Sequence, residues 1–296
     1  MPVAAVVDAA RLPGPLTAVG LATVPGLLAR GIAWRARLAL AGIPVLSGHM
    51  VTAIDGDPDG VTGVEVAAID RDWQPRRGQR RRIAASIVGM GFGVRPNIEL
   101  TRLAGAEHGW DAALGGWHPL RSAELETTVP GLFVAGDGGG VLGVDNALAE
   151  GAIAADAIAR RLGHANRALL GWRASAAAAR RGRQRLFRTV LADWSALRPG
   201  AFAATTPDTI VCRCEDVTAG ELAQAVAAGY RAPGPLKMAT RAGMGLCQGR
   251  VCAPAVQHLL AREAGLDPAG IPPPTARVPL RPLPLSAFID ATAAAD

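Results

Sequence analysis

The residues best suited to chemistry are four cysteines, Cys212, Cys214, Cys247 and Cys252, the only cysteines in a chain of 296 residues. Their spacing is CxC, then 32 intervening residues, then CxxxxC. Thiolates one residue apart can face the same metal centre only from an extended or looping backbone, because neighbours at that spacing on a helix diverge. Gly243, Gly245 and Gly249 surround Cys247. Small residues there let backbone amides approach cluster sulfides and donate the hydrogen bonds that set a reduction potential. An iron–sulfur cluster is the leading reading, with three alternatives. Structural zinc also takes four cysteines, but usually as pairs spaced by two to four residues. Two disulfides need an oxidising compartment, and the amino terminus MPVAAVVDAA lacks the positive start of a secretory signal. Four unrelated buried thiols are the plainest alternative.

A second candidate is rich in glycine. Residues 138–143 read GxGxxG between an expected buried strand at 132–135 and an expected helix, capped by Asp145, that runs to about Leu162. Alone the pattern is weak, since no following strand ending in an acid completes a dinucleotide-binding unit. A strand ending in Gly136-Asp137 still offers a carboxylate for sugar hydroxyls, and the helix start offers amides to an anion or a flavin carbonyl. The bland reading is a tight strand-to-helix turn. The five histidines are scattered and read as surface or packing residues; His108 and His118, in a loop with Trp110 and Trp117, are candidates for a place near a cofactor or interface.

The elements that must position these residues alternate. Residues 3–7 form an apolar strand ending at Asp8, and a helix starts at Pro25 and stops at Gly42. Three strand-like segments, IPVLSG, HMVTAIDG and VTGVEVAAID, follow, separated by Gly48 and the turn DGDPDG. The run RRGQRRR reads as a solvated hairpin tip, RRGRQRLFR as a solvated helix face, and residues 83–88 as a further apolar strand. Between the cysteine pairs, Thr218 with Glu221 three residues on is a capping-box pattern opening a helix. The Pro-rich tail IPPPTARVPLRPLPL should be extended. Half the residues are apolar and few are aromatic, as in helix-covered α/β sheets. The net charge of +6 comes from arginine runs without interleaved aromatics, which argues against a nucleic-acid partner. No stretch reads as a transmembrane segment, and a cytoplasmic location is the natural expectation.

VCRCEDVTAGEL followed by TRAGMGLCQGRVC closely resembles the bacterioferritin-associated-ferredoxin-like (BFD-like) [2Fe-2S] domain. That resemblance implies that Cys212, Cys214, Cys247 and Cys252 are the cluster ligands. IVGMGFGVRPNIEL, then TTVPGLFVAGDGGG, looks like the two later motifs of flavin-dependent pyridine-nucleotide-type oxidoreductases. There the second motif ends in the aspartate that contacts the ribityl chain of FAD, which implies that role for Asp137, close approach at Gly136 and Gly138, and a helix from Asp145 directed at the isoalloxazine. The order of motifs resembles the FAD-containing A (alpha) subunit of opine oxidases, D-hydroxyproline dehydrogenases and hydrogen cyanide synthases. The resemblance implies an α/β protein: a partial two-dinucleotide-binding-domain flavoprotein, parallel sheet plus β-meander, then a small helical cluster domain.

The expected divisions are a remnant of an NAD-like inner domain at 1–85, the carboxyl-terminal part of a FAD-binding domain at 86–163, a helical connector at 164–205, the BFD-like domain at 206–266 and the extended tail at 267–296. The implied function is electron transfer between flavin and a [2Fe-2S] cluster, as one subunit of a heteromeric FAD-dependent amine, opine or D-amino-acid-type dehydrogenase. Its implied partner is a catalytic subunit of the D-amino-acid-oxidase type. Members of that family begin with a strand and a GxGxxG loop holding the ADP half of FAD, and no such segment precedes residue 3 here. That departure makes amino-terminal truncation an expectation and FAD binding by this chain alone a question for experiment. The other reading is a non-enzymatic [2Fe-2S] module fused to a flavin-free remnant.

Overall fold

The computed structural model describes residues 2–10, 21, 24–164, 175–179, 181–182 and 197–286. It comprises two compact units, one of Met1–Pro96 with Asp111–Ala204, the other of Asn97–Trp110 with Thr205–Asp296. The expected connector at 164–205 and the run RRGRQRLFR lie mostly outside the described residues.

In the first unit, β1 (Val6–Asp8) pairs in parallel with β2 (Val45–Ser47), and the crossover between them contains helix α1 (Pro25–Leu40). Proline fits the first helical turn because its missing N–H would be unpaired there anyway. Asp8 closes β1 and accepts the Ala10 N–H at 2.9 Å. The chain then folds into an antiparallel meander of β3 (His49–Asp57), β4 (Gly60–Ile69) and β5 (Pro75–Ala84). Central β4 is the most buried strand, with Val64, Val66, Ala67 and Ile69 covered.

The run RRGQRRR is not a hairpin tip but lies within β5, the outer strand. The turn comes earlier, where the Asp70 carboxylate accepts the N–H groups of Asp72 and Gln74, each at 2.9 Å. Arg80 and Arg82 pair with Glu65 and Asp55 at 3.0 and 3.1 Å, and a charged outer strand resists edge-to-edge pairing. The apolar strand expected at 83–88 is reduced to Ile83 and Ala84.

Helix α2 (Val144–Arg161) buries Asn146, Ala149, Glu150, Ile153, Ala154 and Ala157, against a cluster that includes Leu125 and Phe133. Asp145 is not its cap. Gly143 holds that position, and Asp145, in the first turn, pairs with Arg30 of α1 at 3.1 Å. The strand expected at 132–135 is also absent. Only a single bridge joins Glu126 to Phe133, and the Val134 carbonyl accepts from the Arg121 side chain at 2.7 Å instead of from a neighbouring strand.

In the second unit, β6 (Ile210–Cys212) turns back into β7 (Val217–Thr218), which leads into α3 (Ala219–Ala227); α4 (Pro233–Thr240) and α5 (Ala253–Ala264) follow. The core joins Leu222, Val226, Leu236, Leu259, Leu260 and Ile271 with Cys212 and Cys252. Thr218 and Glu221 form the expected capping box, each side chain bonding the other's backbone N–H. Replacing Thr218 with Ala is therefore expected to cost about 1 kcal/mol, read as a lowered thermal midpoint; an unchanged midpoint would deny the cap a stabilising role. Residues 271–284 contain neither helix nor strand, and within the expected tail Pro268–Gly270 forms a 3-10 turn. Among the described residues no helix is long and apolar enough to cross a membrane.

Candidate functional site

Strand β6 delivers Cys212 from an extended backbone, 1% exposed, and the turn after it leaves Cys214 at the surface. Cys252 sits at the start of α5, 3% exposed, and Cys247 lies partly buried in the turn before it. All four are free thiols in this structure. The two halves meet closely. A Cβ added to Gly245 would stand 2.2 Å from the Cys214 Cβ, and the Gly243 N–H donates to Cys212 Sγ at 3.4 Å. On the rim, Arg241 pairs with Glu215 at 2.7 Å, tying the CxC turn to the end of α4.

Cys214 hydrogen-bonds to Cys247 and Cys212 to Cys252, and Cys247 also stands close enough to Cys252 to act on it electrostatically. Burial, then the neighbouring Cys212 and Cys247, push the Cys252 thiol up to about 12. Burial also acts upward on Cys247, but hydrogen bonds from the Val251 and Gly249 N–H groups, the Cys214 thiol and the Arg250 N–H bring it below the ordinary thiol value. Among the described residues, no three or more His, Cys, Asp or Glu side chains converge to hold a single metal ion. Two pairs of thiols suit two irons, each taking two thiolates, and cationic iron offsets the cost of holding several thiolates close together. The donor set fits a [2Fe-2S] cluster.

Gly245→Ala should deny Cys214 its place, because the new methyl would overlap a backbone-anchored Cβ. The expected result is loss of most bound iron with the helices retained by circular dichroism; full iron content would show that the turn can open.

The second candidate lies in the first unit. Asp137 begins a single 3-10 turn, Asp137–Gly139, and is exposed. Beneath this loop sits Glu150, fully buried. Its carboxylate accepts from Arg121 at 2.9 Å, the Gly136 N–H at 2.9 Å and Arg181 at 3.0 Å. Arg121 also donates to the carbonyls of Val134 and Gly139, at 2.7 and 2.6 Å, bracketing the loop. A Cβ on Gly139 would lie 2.1 Å from that guanidinium and would push Arg121 out of its present position. The Asn146 side chain donates to Glu150, while its buried Oδ1 has no hydrogen-bond partner. A glycine loop fixed from below, with a carboxylate exposed on it and an unmatched acceptor nearby, fits the ribityl and ring contacts of a flavin.

Sequence reasoning named Gly136, Asp137, Gly138 and Asp145 but missed Arg121 and Glu150. The available signal was an acid on the apolar stripe of α2, since Asn146, Glu150, Ile153 and Ala157 share one face. The histidines do local work. His108 bonds the Thr101 hydroxyl and the Ala106 carbonyl, both at 2.8 Å, and His118 bonds the Gly116 carbonyl at 3.2 Å. Burial holds His258, in α5, below the ordinary histidine value.

Residues 210–262 match the family described as BFD-like [2Fe-2S] binding domain, and they enclose all four cysteines. The chain carries a BFD-like [2Fe-2S] domain. Ahead of the BFD-like domain, residues 29–151 match the pyridine nucleotide-disulphide oxidoreductase family, a flavoprotein family. The chain is 33% identical to hydrogen cyanide synthase subunit HcnB of Pseudomonas protegens, over 89% of its own length and 55% of the relative. It is 34% identical to the A (alpha) subunit of opine oxidase from Rhizobium meliloti, over 97% of its length and 59% of the relative. It thus spans somewhat over half the length of these relatives. L-proline dehydrogenase from P. horikoshii shares the fold, with a TM-score of 0.58 and 18% identity over 85% of this chain and 46% of that one. A flavin oxidoreductase segment and a [2Fe-2S] domain are therefore joined in one oxidoreductase homologue.

Proposed function

We propose that this chain is an electron-transfer subunit of a heteromeric FAD-dependent amine, opine or D-amino-acid-type dehydrogenase. The observation that carries the reading is that the CxC and CxxxxC segments meet, with Cys212 and Cys252 in the core of the BFD-like domain and Cys247 and Cys214 leading out to its surface. Cys212, Cys214, Cys247 and Cys252 would hold the cluster. Gly136, Asp137, Gly138 and Asp145 would serve FAD. The cluster supplies a one-electron carrier and the flavin couples it to two-electron chemistry. The protein's part is positioning. Asp137 would accept hydrogen bonds from ribityl hydroxyls, Arg121 and Glu150 would brace the loop from below, and Asp145 would act less directly because its carboxylate pairs with Arg30.

The division we propose is 1–85 for the inner-domain part, 86–163 for the FAD-binding part, 164–205 for the connector, 206–266 for the cluster domain and 267–296 for the tail, in a cytoplasmic protein. Its partner would be a D-amino-acid-oxidase-type subunit that oxidises a C–N bond and passes electrons on. The reading is tested by the absorption spectrum of the anaerobically purified chain. Cluster bands with flavin peaks, and FAD released on denaturation, are expected. Cluster bands alone, with no uptake of added FAD, would favour the non-enzymatic cluster module.

A further inference from the structure

Arg250 lies between two of the cysteines, in CQGRVC, and turns inward. Its Nη1 donates to the Cys247 carbonyl at 3.2 Å and its Nη2 to the Leu280 carbonyl of the tail. Its Nε stands 3.5 Å from Glu99 Oε1, with the two side chains 24% and 20% exposed. Both Nε and the other Glu99 oxygen, Oε2, are buried and make no hydrogen bond. Glu99 opens a short helix, Glu99–Leu103, where Arg102 anchors to the Pro274 carbonyl and also feels the Glu99 charge. All these residues belong to the second unit.

A fixed cation and a fixed anion are thus set beside the proposed cluster, joined at a separation longer than a hydrogen bond. The anion neutralises the cation incompletely. Partial burial lowers the effective dielectric, so both charges are felt more strongly than they would be in water. Reduction of a [2Fe-2S] cluster takes one electron, converts one ferric iron to ferrous and adds one negative charge to the site. A cation touching the Cys247 backbone favours that reduced form; an anion behind the cation opposes it.

We propose that Arg250 and Glu99 form an opposed pair that sets the reduction potential of the cluster, Arg250 raising it and Glu99 lowering it. The inference rests on the proposed cysteine ligand set. Neither residue binds iron; both act through the Cys247 turn. The two charges make contributions of opposite sign, which a merely structural pair would not.

The test is a redox titration with dithionite of the full chain, reconstituted anaerobically with iron and sulfide and followed by the EPR signal of the reduced cluster. Arg250→Met is expected to shift the midpoint negative by a tenfold change in the one-electron equilibrium, about 59 mV. Glu99→Gln is expected to shift it positive, and Arg250→Lys to move it less than Arg250→Met. Shifts in the same direction for Arg250→Met and Glu99→Gln, or no shift in either, would overturn the proposal. Should Arg250→Met fail to hold the cluster, Glu99→Gln decides: a positive shift upholds the pair, and an unmoved midpoint sinks it. Loss of the cluster from all three variants would also overturn it, by making the pair a support for the turn alone. A wild-type chain that takes up no cluster would instead refute the ligand set on which the proposal stands.

Discussion

Replacing Cys247 with serine should remove the visible absorption bands and reduced-state EPR signal of the chain while leaving its far-ultraviolet circular dichroism nearly unchanged. Cys247 lies in a turn and is partly exposed, so the substitution removes little packing. What it removes is a soft sulfur donor, the thiol that three backbone N–H groups and Cys214 bring below its ordinary value. Disturbing even the residues that orient a metal ligand costs 10–100-fold in affinity. Loss of a ligand itself should therefore cut bound iron by at least about tenfold. Wild-type iron and sulfide in the variant would remove Cys247 from the ligand set.

Glu150→Ala is expected to act on stability instead. The variant would leave the Arg121 guanidinium, 6% exposed, and the Gly136 N–H without their carboxylate. Removing one partner of a buried pair costs about 3–5 kcal/mol. The change would be read as a lowered denaturant midpoint for the first unit, and a loss below about 1 kcal/mol would mean that water or another anion fills the gap. Acid should produce a related effect. Burial alone would raise the Glu150 carboxyl, but the hydrogen bonds and charge of Arg121, with the Gly136 N–H and Asn146, bring it below the ordinary value. A depressed carboxylate stabilises fully above its unfolded value and loses that contribution as pH falls through its lower folded value. Stability of the wild type should thus decline below about pH 4.3, by more than that of Glu150→Ala. Equal acid sensitivity in both proteins would contradict this role for Glu150.

The parts of this structure that were legible in the sequence are those set by local rules. Pro25 and Gly42 bounded α1, the Thr218–Glu221 spacing marked the start of α3, and DGDPDG separated two strands of the meander. The meeting of the CxC and CxxxxC segments was legible because their spacing is itself a chemical statement. What could not be read depended on partners distant in the chain. Residues 132–135 have the composition of a buried strand, yet Arg121 takes the Val134 carbonyl. Asp145 has the residue type of a cap, yet Gly143 begins the helix and Arg30 draws the carboxylate away. RRGQRRR looks too charged for a strand, yet an outer strand has room for arginines paired to Glu65 and Asp55. Glu150 and Arg121 are 29 residues apart, and only the fold brings them under the glycine loop.

Central to all of this is a two-iron cluster held by the four cysteines, and the most direct measurement is iron and acid-labile sulfide per chain in protein prepared without oxygen. Two irons and two sulfides per chain are expected from the BFD-like [2Fe-2S] domain. Colourless protein that takes up neither after reconstitution, or that holds one zinc ion in their place, would contradict it.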